Sequence, residues 1–148
     1  MSENVEAIFE KTGAVLKGHF LLTSGLHSPV YWEKFRVLQF PRYTEQLCGM
    51  IARHFQNQGI QVVAGPTTGG VILAHEVARQ LDVQSIYAEK EGSERIFRRG
   101  FSIDPAARVL VVDDVLTTGG SVREVIAAVN KLGGRVMGVG VLIDRSEQ

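Results

Sequence analysis

The chain has 148 residues, 45% of them hydrophobic and 22% charged, and its basic and acidic side chains balance to a formal net charge of zero. That length suits one compact domain, and a balanced charge gives no compositional support for nucleic acid as the main partner. A single cysteine, Cys48, excludes an internal disulfide framework and a cysteine-rich zinc site.

The N-terminal stretch is acidic early and lacks a basic region followed by an apolar core, so it does not read as a signal peptide. Ser2 and Asn4 can cap a first helix over roughly Val5–Leu16, with Val5, Ile8, Phe9 and Leu16 near one face. Gly18–Pro29 mixes small, polar and aromatic residues and reads as loop and short strand. Tyr43–Gln58 carries Leu47, Met50, Ile51, Ala52 and Phe55 at helical spacing, and Gly59 supplies the stop. Cys48 falls in this apolar pattern, which marks it as a buried structural thiol rather than a nucleophile.

Ile60–Ala64 is a short buried strand ending at Gly65-Pro66. Gly69–Leu81 fits a helix and Val83–Ala88 another strand. Glu89–Arg99 is different: seven of its side chains are charged, with Gly92-Ser93 in the middle. It reads as a charged, mobile turn between extended pieces. Arg108–Val112 is a third buried strand, Gly120–Leu132 a helix closed by Gly133-Gly134, and Val136–Ile143 a fourth strand. Strands alternating with helices predict an α/β domain with a mainly parallel sheet flanked by helices. No apolar run approaches the ~18 residues of a membrane span. A reducing cytoplasm and no membrane partner are therefore expected. His19, His27, His54 and His75 show no metal-ligand spacing, no protein-held metal site is expected, and His54 and His75 read as helix-surface or packing residues.

The chemistry concentrates in Val109–Ser121. An all-apolar strand is followed at once by Asp113-Asp114, then Val115-Leu116, then Thr117-Thr118-Gly119-Gly120-Ser121. Ligands of open parallel sheets sit beyond the carboxyl ends of strands, so the acids emerge at the ligand edge. Adjacent carboxylates repel and call for water, a cation or sugar hydroxyls. The Thr-Gly-Ser turn opens a helix, whose N-terminal amides and hydroxyls suit a phosphate, with glycines allowing close approach. Carboxylates for a ribose beside a cradle for its phosphate describe a ribose-5-phosphate site. Neither GxxxxGK[ST] nor GxGxxG occurs, so the site is not of the Walker or dinucleotide kind.

Val109–Ser121 resembles the phosphoribosylpyrophosphate signature of the type I phosphoribosyltransferases at every position. The resemblance implies one domain over residues 1–148, with a small N-terminal hood (1–40) and an α/β core (41–148). It also implies a mobile loop over the active site, magnesium bound mainly through phosphoribosylpyrophosphate, and a homodimer. By the same likeness Asp113 and Asp114 hold the ribose hydroxyls, and Thr117–Ser121 hold the 5-phosphate. Gly65-Pro66-Thr67-Thr68-Gly69-Gly70 resembles the loop that lies against the pyrophosphate.

Gly18–Trp32, followed by Arg36-Val37-Leu38, is similar to the hood of orotate phosphoribosyltransferases, and Asp144-Arg145 follows the same likeness. It implies that Arg145 meets the orotate carboxylate, for which a planar guanidinium fork is apt, and that Thr117 also lies near the base. Tyr31 and Trp32 either stack on the base or pack the hood. Three features depart from the pattern of these enzymes. Gly69 stands where a lysine is common. The charged segment has no histidine and keeps only Lys90 in register. The chain stops three residues beyond Arg145, where relatives usually continue. Lys90, Arg95, Arg98 and Arg99 are cations for the departing pyrophosphate, Lys90 foremost, or members of a solvated Glu–Arg hairpin. The activity implied is transfer of phosphoribose to orotate. The competing readings are a purine or xanthine phosphoribosyltransferase and a non-catalytic phosphoribosylpyrophosphate-binding regulator.

Overall fold

The computed structural model describes residues 5–12, 15–21 and 27–145, with the backbone alone for the first two strands. The chain divides into two compact units, Met1–Leu47 and Cys48–Gln148, and the division falls inside a helix.

In the first unit, α1 spans Val5–Lys11, β1 Val15–Leu21, β2 His27–Trp32 and α2 Phe35–Leu38. The helix expected to reach Leu16 stops early. Thr12 donates both its amide and its hydroxyl to the Ile8 carbonyl, and Val15 and Leu16 instead pair with Trp32 and Tyr31 in an antiparallel ladder. Local apolar spacing suggested helix there, and pairing with a strand eleven or more residues away decided otherwise. The short helix α2 was not anticipated. α3, Pro41–Phe55, crosses into the second unit. It begins with the proline, as suits a first helical position where no amide bond is lost.

The second unit is a doubly wound sheet. Its strands are β3 Val62–Pro66, β4 Gln84–Glu91, β5 Glu94–Ile96, β6 Arg108–Leu116 and β7 Arg135–Asp144, in the order β5-β4-β3-β6-β7. β4, β3, β6 and β7 run parallel, and β5 turns back antiparallel on β4. α4, Gly69–Leu81, connects β3 to β4, and α5, Gly120–Leu132, connects β6 to β7. The mainly parallel α/β sheet expected from the sequence is the fold observed, and both helices have the expected bounds.

Residue parity along the strands assigns the two faces. Val62, Ala64, Val109 and Val111 pack with Val122, Val125 and Val129 of α5. Val63, Leu110 and Val112, all fully buried, hold the opposite parity and face the other way. On that second face the close approaches are between the sheet and α3: a β-carbon on Gly138 would meet Phe55 and one on Gly140 would meet Ile51. β3 is buried along its whole length, as a central strand covered by helices must be.

Strand order reverses at β3. The path from β3 through α4 to β4 leaves on one side, and β6 and β7 return on the other, so the carboxyl ends of β3 and β6 flank the topological switch point where such sheets bind ligands. β6 is longer than expected: Asp113 and Asp114 lie within the strand, and Asp113 pairs with Val141. The loop after β3 is folded tightly on itself. A β-carbon on Gly65 would run into the Gly70 carbonyl, and one on Gly70 into the Pro66 ring.

Gly65→Ala should therefore destabilise the protein by about 1–3 kcal/mol, because the obstacle is backbone rather than a flexible side chain. In thermal unfolding that corresponds to a midpoint lowered by roughly 2–4 °C per kcal/mol. An unchanged midpoint would show that this loop rearranges freely.

Candidate active site at the sheet switch point

Asp113 and Asp114 are both buried, at 6% and 5% exposure. As consecutive strand residues they point to opposite faces, which relieves the repulsion expected of side-by-side carboxylates. Asp113 has the parity of Val109 and Val111 and lies on the α5 side. Asp114 lies on the α4 side, where its Oδ2 occupies the space a β-carbon on Gly69 would take. Each carboxylate accepts the amide of the next residue at 2.7 Å: Asp113 Oδ1 from Asp114, and Asp114 Oδ1 from Val115. The acid pair thus sits between the amino ends of α4 and α5, whose aligned peptide dipoles favour negative charge. Gly69 is the first residue of α4, and any side chain there would displace the Asp114 carboxylate.

Beyond the acids, Thr117 and Thr118 are exposed and Gly119, Gly120 and Ser121 half-buried. Gly119 takes a left-handed conformation, φ 83°, at the amino end of α5 and has no side chain to cap the helix, while the Gly120 amide donates to Thr118 Oγ1 at 3.4 Å. The amides of a helix's first turn suit an anion. Val115 and Leu116 complete β6. Leu116 pairs with Asp144, and the next amide on β7's side, that of Arg145, donates to the Leu116 carbonyl at 2.7 Å. Thr117 and Arg145 therefore leave the sheet side by side. Arg145 is itself buried, at 8% exposure. Tyr31 and Trp32 lie on β2, in the other unit, and their side chains are outside the described residues. His19 and His27 are likewise outside.

The charged segment is a β-hairpin, a turn between extended pieces as the sequence indicates. Lys90 pairs with Arg95 and Glu91 with Glu94 across a Gly92-Ser93 turn. Its base is anchored by Phe97, Phe101 and Ile103, which pack against the α5-side core, and Tyr87 meets Phe101 edge-on. All four cations hold carboxylates. Lys90 Nζ lies 2.6 Å from Glu124 Oε1, Arg95 Nε 3.2 Å from Glu124 Oε2, Arg98 3.2 Å from Glu91 and Arg99 3.2 Å from Glu89. The Lys90 hydrogen bond, above the other influences, holds the Glu124 carboxyl below the usual glutamate range. Glu124, on the second turn of α5, is the site residue that sequence reasoning missed. Nothing local distinguishes it from any exposed helix glutamate.

His54 and His75 are exposed on α3 and α4, in keeping with surface positions. No helix of the described residues is long and apolar enough to cross a membrane.

A buried acid pair, a glycine-rich turn at the amino end of α5 and a tight second loop meet at one switch point. The chain belongs to the phosphoribosyltransferase family: residues 37–148 match the phosphoribosyl transferase domain. Within that family it is 55% identical over 144 residues to a protein of Desulforamulus reducens named orotate phosphoribosyltransferase, a match covering 97% of this chain and 75% of that protein. The crystal structure of orotate phosphoribosyltransferase from Aeropyrum pernix superimposes with a TM-score of 0.83 at 31% identity, covering 97% of this chain and 82% of that one. The crystal structure of adenine phosphoribosyltransferase from Thermoanaerobacter pseudethanolicus reaches 0.75 at 19% identity, over 95% and 88% of the two chains. The fold is thus shared by enzymes named for different bases and does not itself select one.

Cys48 is fully buried, and burial, with the Glu76 carboxylate adding to it, pushes its thiol up to about 12. Only the thiolate reacts, so at pH 8 a thiol of this kind is about one part in ten thousand reactive. Native protein at pH 8 should leave a disulfide reagent unconsumed, and denatured protein should consume one equivalent. Rapid reaction of the native chain would contradict the burial.

Proposed function

We propose that this chain is an orotate phosphoribosyltransferase, in which orotate displaces pyrophosphate from the anomeric carbon of phosphoribosylpyrophosphate to give orotidine 5'-monophosphate. The observation that supports the reading is the pairing of β6 with β7, after which the buried Arg145 follows β7 beside Thr117. A cation there suits a base bearing a carboxylate, and identity at 55% to a protein named for orotate supports the same choice.

In this reading Asp113 and Asp114 hold the ribose hydroxyls. Thr117, Thr118, Gly119, Gly120 and Ser121 hold the 5-phosphate, and Val115 and Leu116 lead into that phosphoribosylpyrophosphate-binding segment. Gly65–Gly70 lies against the pyrophosphate, and Lys90 neutralises that group as it leaves. A cation placed there binds the departing anion better than the ester and so lowers the barrier. Arg145 grips the base carboxylate. The two buried carboxylates are hard oxygen donors that suit magnesium. They are too few to complete its octahedron, so phosphoribosylpyrophosphate and water would supply most of its ligands. Magnesium when bound would neutralise charge on the pyrophosphate. The reading carries with it a cytoplasmic homodimer.

Two substitutions test it. Asp113→Asn with Asp114→Asn keeps shape and removes both charges; calorimetry with magnesium and phosphoribosylpyrophosphate should show binding weakened at least about ten-fold, the scale of a lost charge-assisted hydrogen bond. Equal affinity in the two proteins would remove the acids from the site.

Arg145→Ala should raise the KM for orotate by roughly ten- to a hundred-fold, for the same reason, and leave that for phosphoribosylpyrophosphate near its original value. Uracil, which lacks the carboxylate, should be a poor substrate of the unmodified enzyme. Turnover of purines without turnover of orotate would overturn the base assignment.

A further inference from the structure

The side chain of Arg95 is only 11% exposed, although it lies on a hairpin of charged residues. Nε reaches Glu124 Oε2 at 3.2 Å, and Nη1 reaches Thr67 Oγ1 at 3.2 Å and the Thr67 and Ala88 carbonyls at 3.4 Å each. The Ala88 carbonyl also accepts the Thr67 amide at 3.1 Å. One guanidinium therefore ties together the end of β4, the loop after β3, the returning strand β5 and the second turn of α5. Arginine suits this task because its donors are fixed in one plane and can serve several acceptors at once.

Glu124 is the other half of the arrangement. It stands three residues beyond Ser121, the last residue of the phosphate cradle, and receives both Lys90 and Arg95. These two cations are cross-strand partners, so they emerge on the same face of the hairpin. They differ in exposure. Lys90 is 47% exposed and Arg95 11%, so Lys90 is placed to exchange Glu124 for another anion while Arg95 stays.

We infer that the Arg95–Glu124 pair is a strut that fixes the loop around Thr67 against the phosphate cradle of α5, and that both are positioning residues for phosphoribosylpyrophosphate. This rests on the function proposed above, in which that loop faces the pyrophosphate and the cradle faces the 5-phosphate. One ligand carries both groups, so the spacing of the two loops sets its affinity. The base, held at Arg145, is indifferent to that spacing. An isolated exposed ion pair adds little to stability; the effect of this pair lies in where it holds the Thr67 backbone.

Steady-state kinetics on Arg95→Ala, Arg95→Lys, Glu124→Gln and the Arg95→Ala/Glu124→Gln double variant test the strut. Arg95→Ala and Glu124→Gln should each raise the KM for phosphoribosylpyrophosphate roughly ten-fold, the scale of a lost charge-assisted hydrogen bond, and leave that for orotate unchanged. Arg95→Lys keeps the charge without the span and should recover only part of the loss. The double variant should be no worse than the weaker single variant, since the two residues act as one unit. In ligand-free Arg95→Ala, the amides of residues 67–71 should exchange hydrogen faster than in the original protein. If Arg95→Ala does not fold, Glu124→Gln carries the same expectations. The strut is wrong if the active enzyme tolerates these changes, if both KM values rise together, or if the two effects add. An unmodified protein inactive with orotate would instead overturn the proposed function, and the exchange measurement would still decide the strut.

Discussion

The site depends on one topological constraint: β3 sits at the centre of the sheet, and its two parallel neighbours are reached by connections that leave in opposite directions. Because the first helix, α4, leads to β4 and the second, α5, leads from β6, the carboxyl ends of β3 and β6 are neighbours whose following loops diverge. The crevice between them is the one place on that edge where two helix amino ends converge. The tight Gly65–Gly70 turn closes one side, the glycine-rich Gly119–Ser121 turn closes the other, and the acid pair on β6 lies between them.

Charge is distributed to match. Asp113 and Asp114 are buried, which would be costly without compensation. Alternation along the strand sends each toward a different face, and both accept backbone amides. The cations are kept apart from the acids on a hairpin whose turn is Gly92-Ser93. There each one rests on a glutamate: Glu124 for Lys90 and Arg95, Glu91 for Arg98, Glu89 for Arg99. Such pairs add little to stability when exposed. They determine which face of the hairpin each cation occupies and leave Lys90 beside the helix that carries the cradle.

The glycine at position 69 has a steric explanation in the same geometry. Asp114 is seated against the first turn of α4, so the absence of a side chain at Gly69 is what gives the carboxylate its place. The bare glycine and the burial of the acid are thus two aspects of one packing arrangement, while Arg123 of α5 itself donates to the Thr118 carbonyl at 3.0 Å.

Much of this was legible in the sequence because the deciding interactions are local. α4 and α5 were readable from periodic apolar positions and their glycine boundaries, and the parallel sheet from the alternation of apolar runs with those helices. The acid–threonine–glycine segment was readable because a strand, a turn and a helix start in thirteen consecutive residues carry their own geometry. Tertiary structure decided the rest, where partners lie far apart in the chain. Val15 and Leu16 became strand through pairing with Tyr31 and Trp32, β6 extended through the acids by pairing with β7, and Phe97 and Phe101 anchored the base of the charged hairpin in the core. Glu124 and Arg95, separated by 29 residues, meet only because α5 folds back over the sheet. A helix glutamate and a hairpin arginine have no local pattern that announces such a meeting, since what defines them is the distance between their side chains in the folded chain.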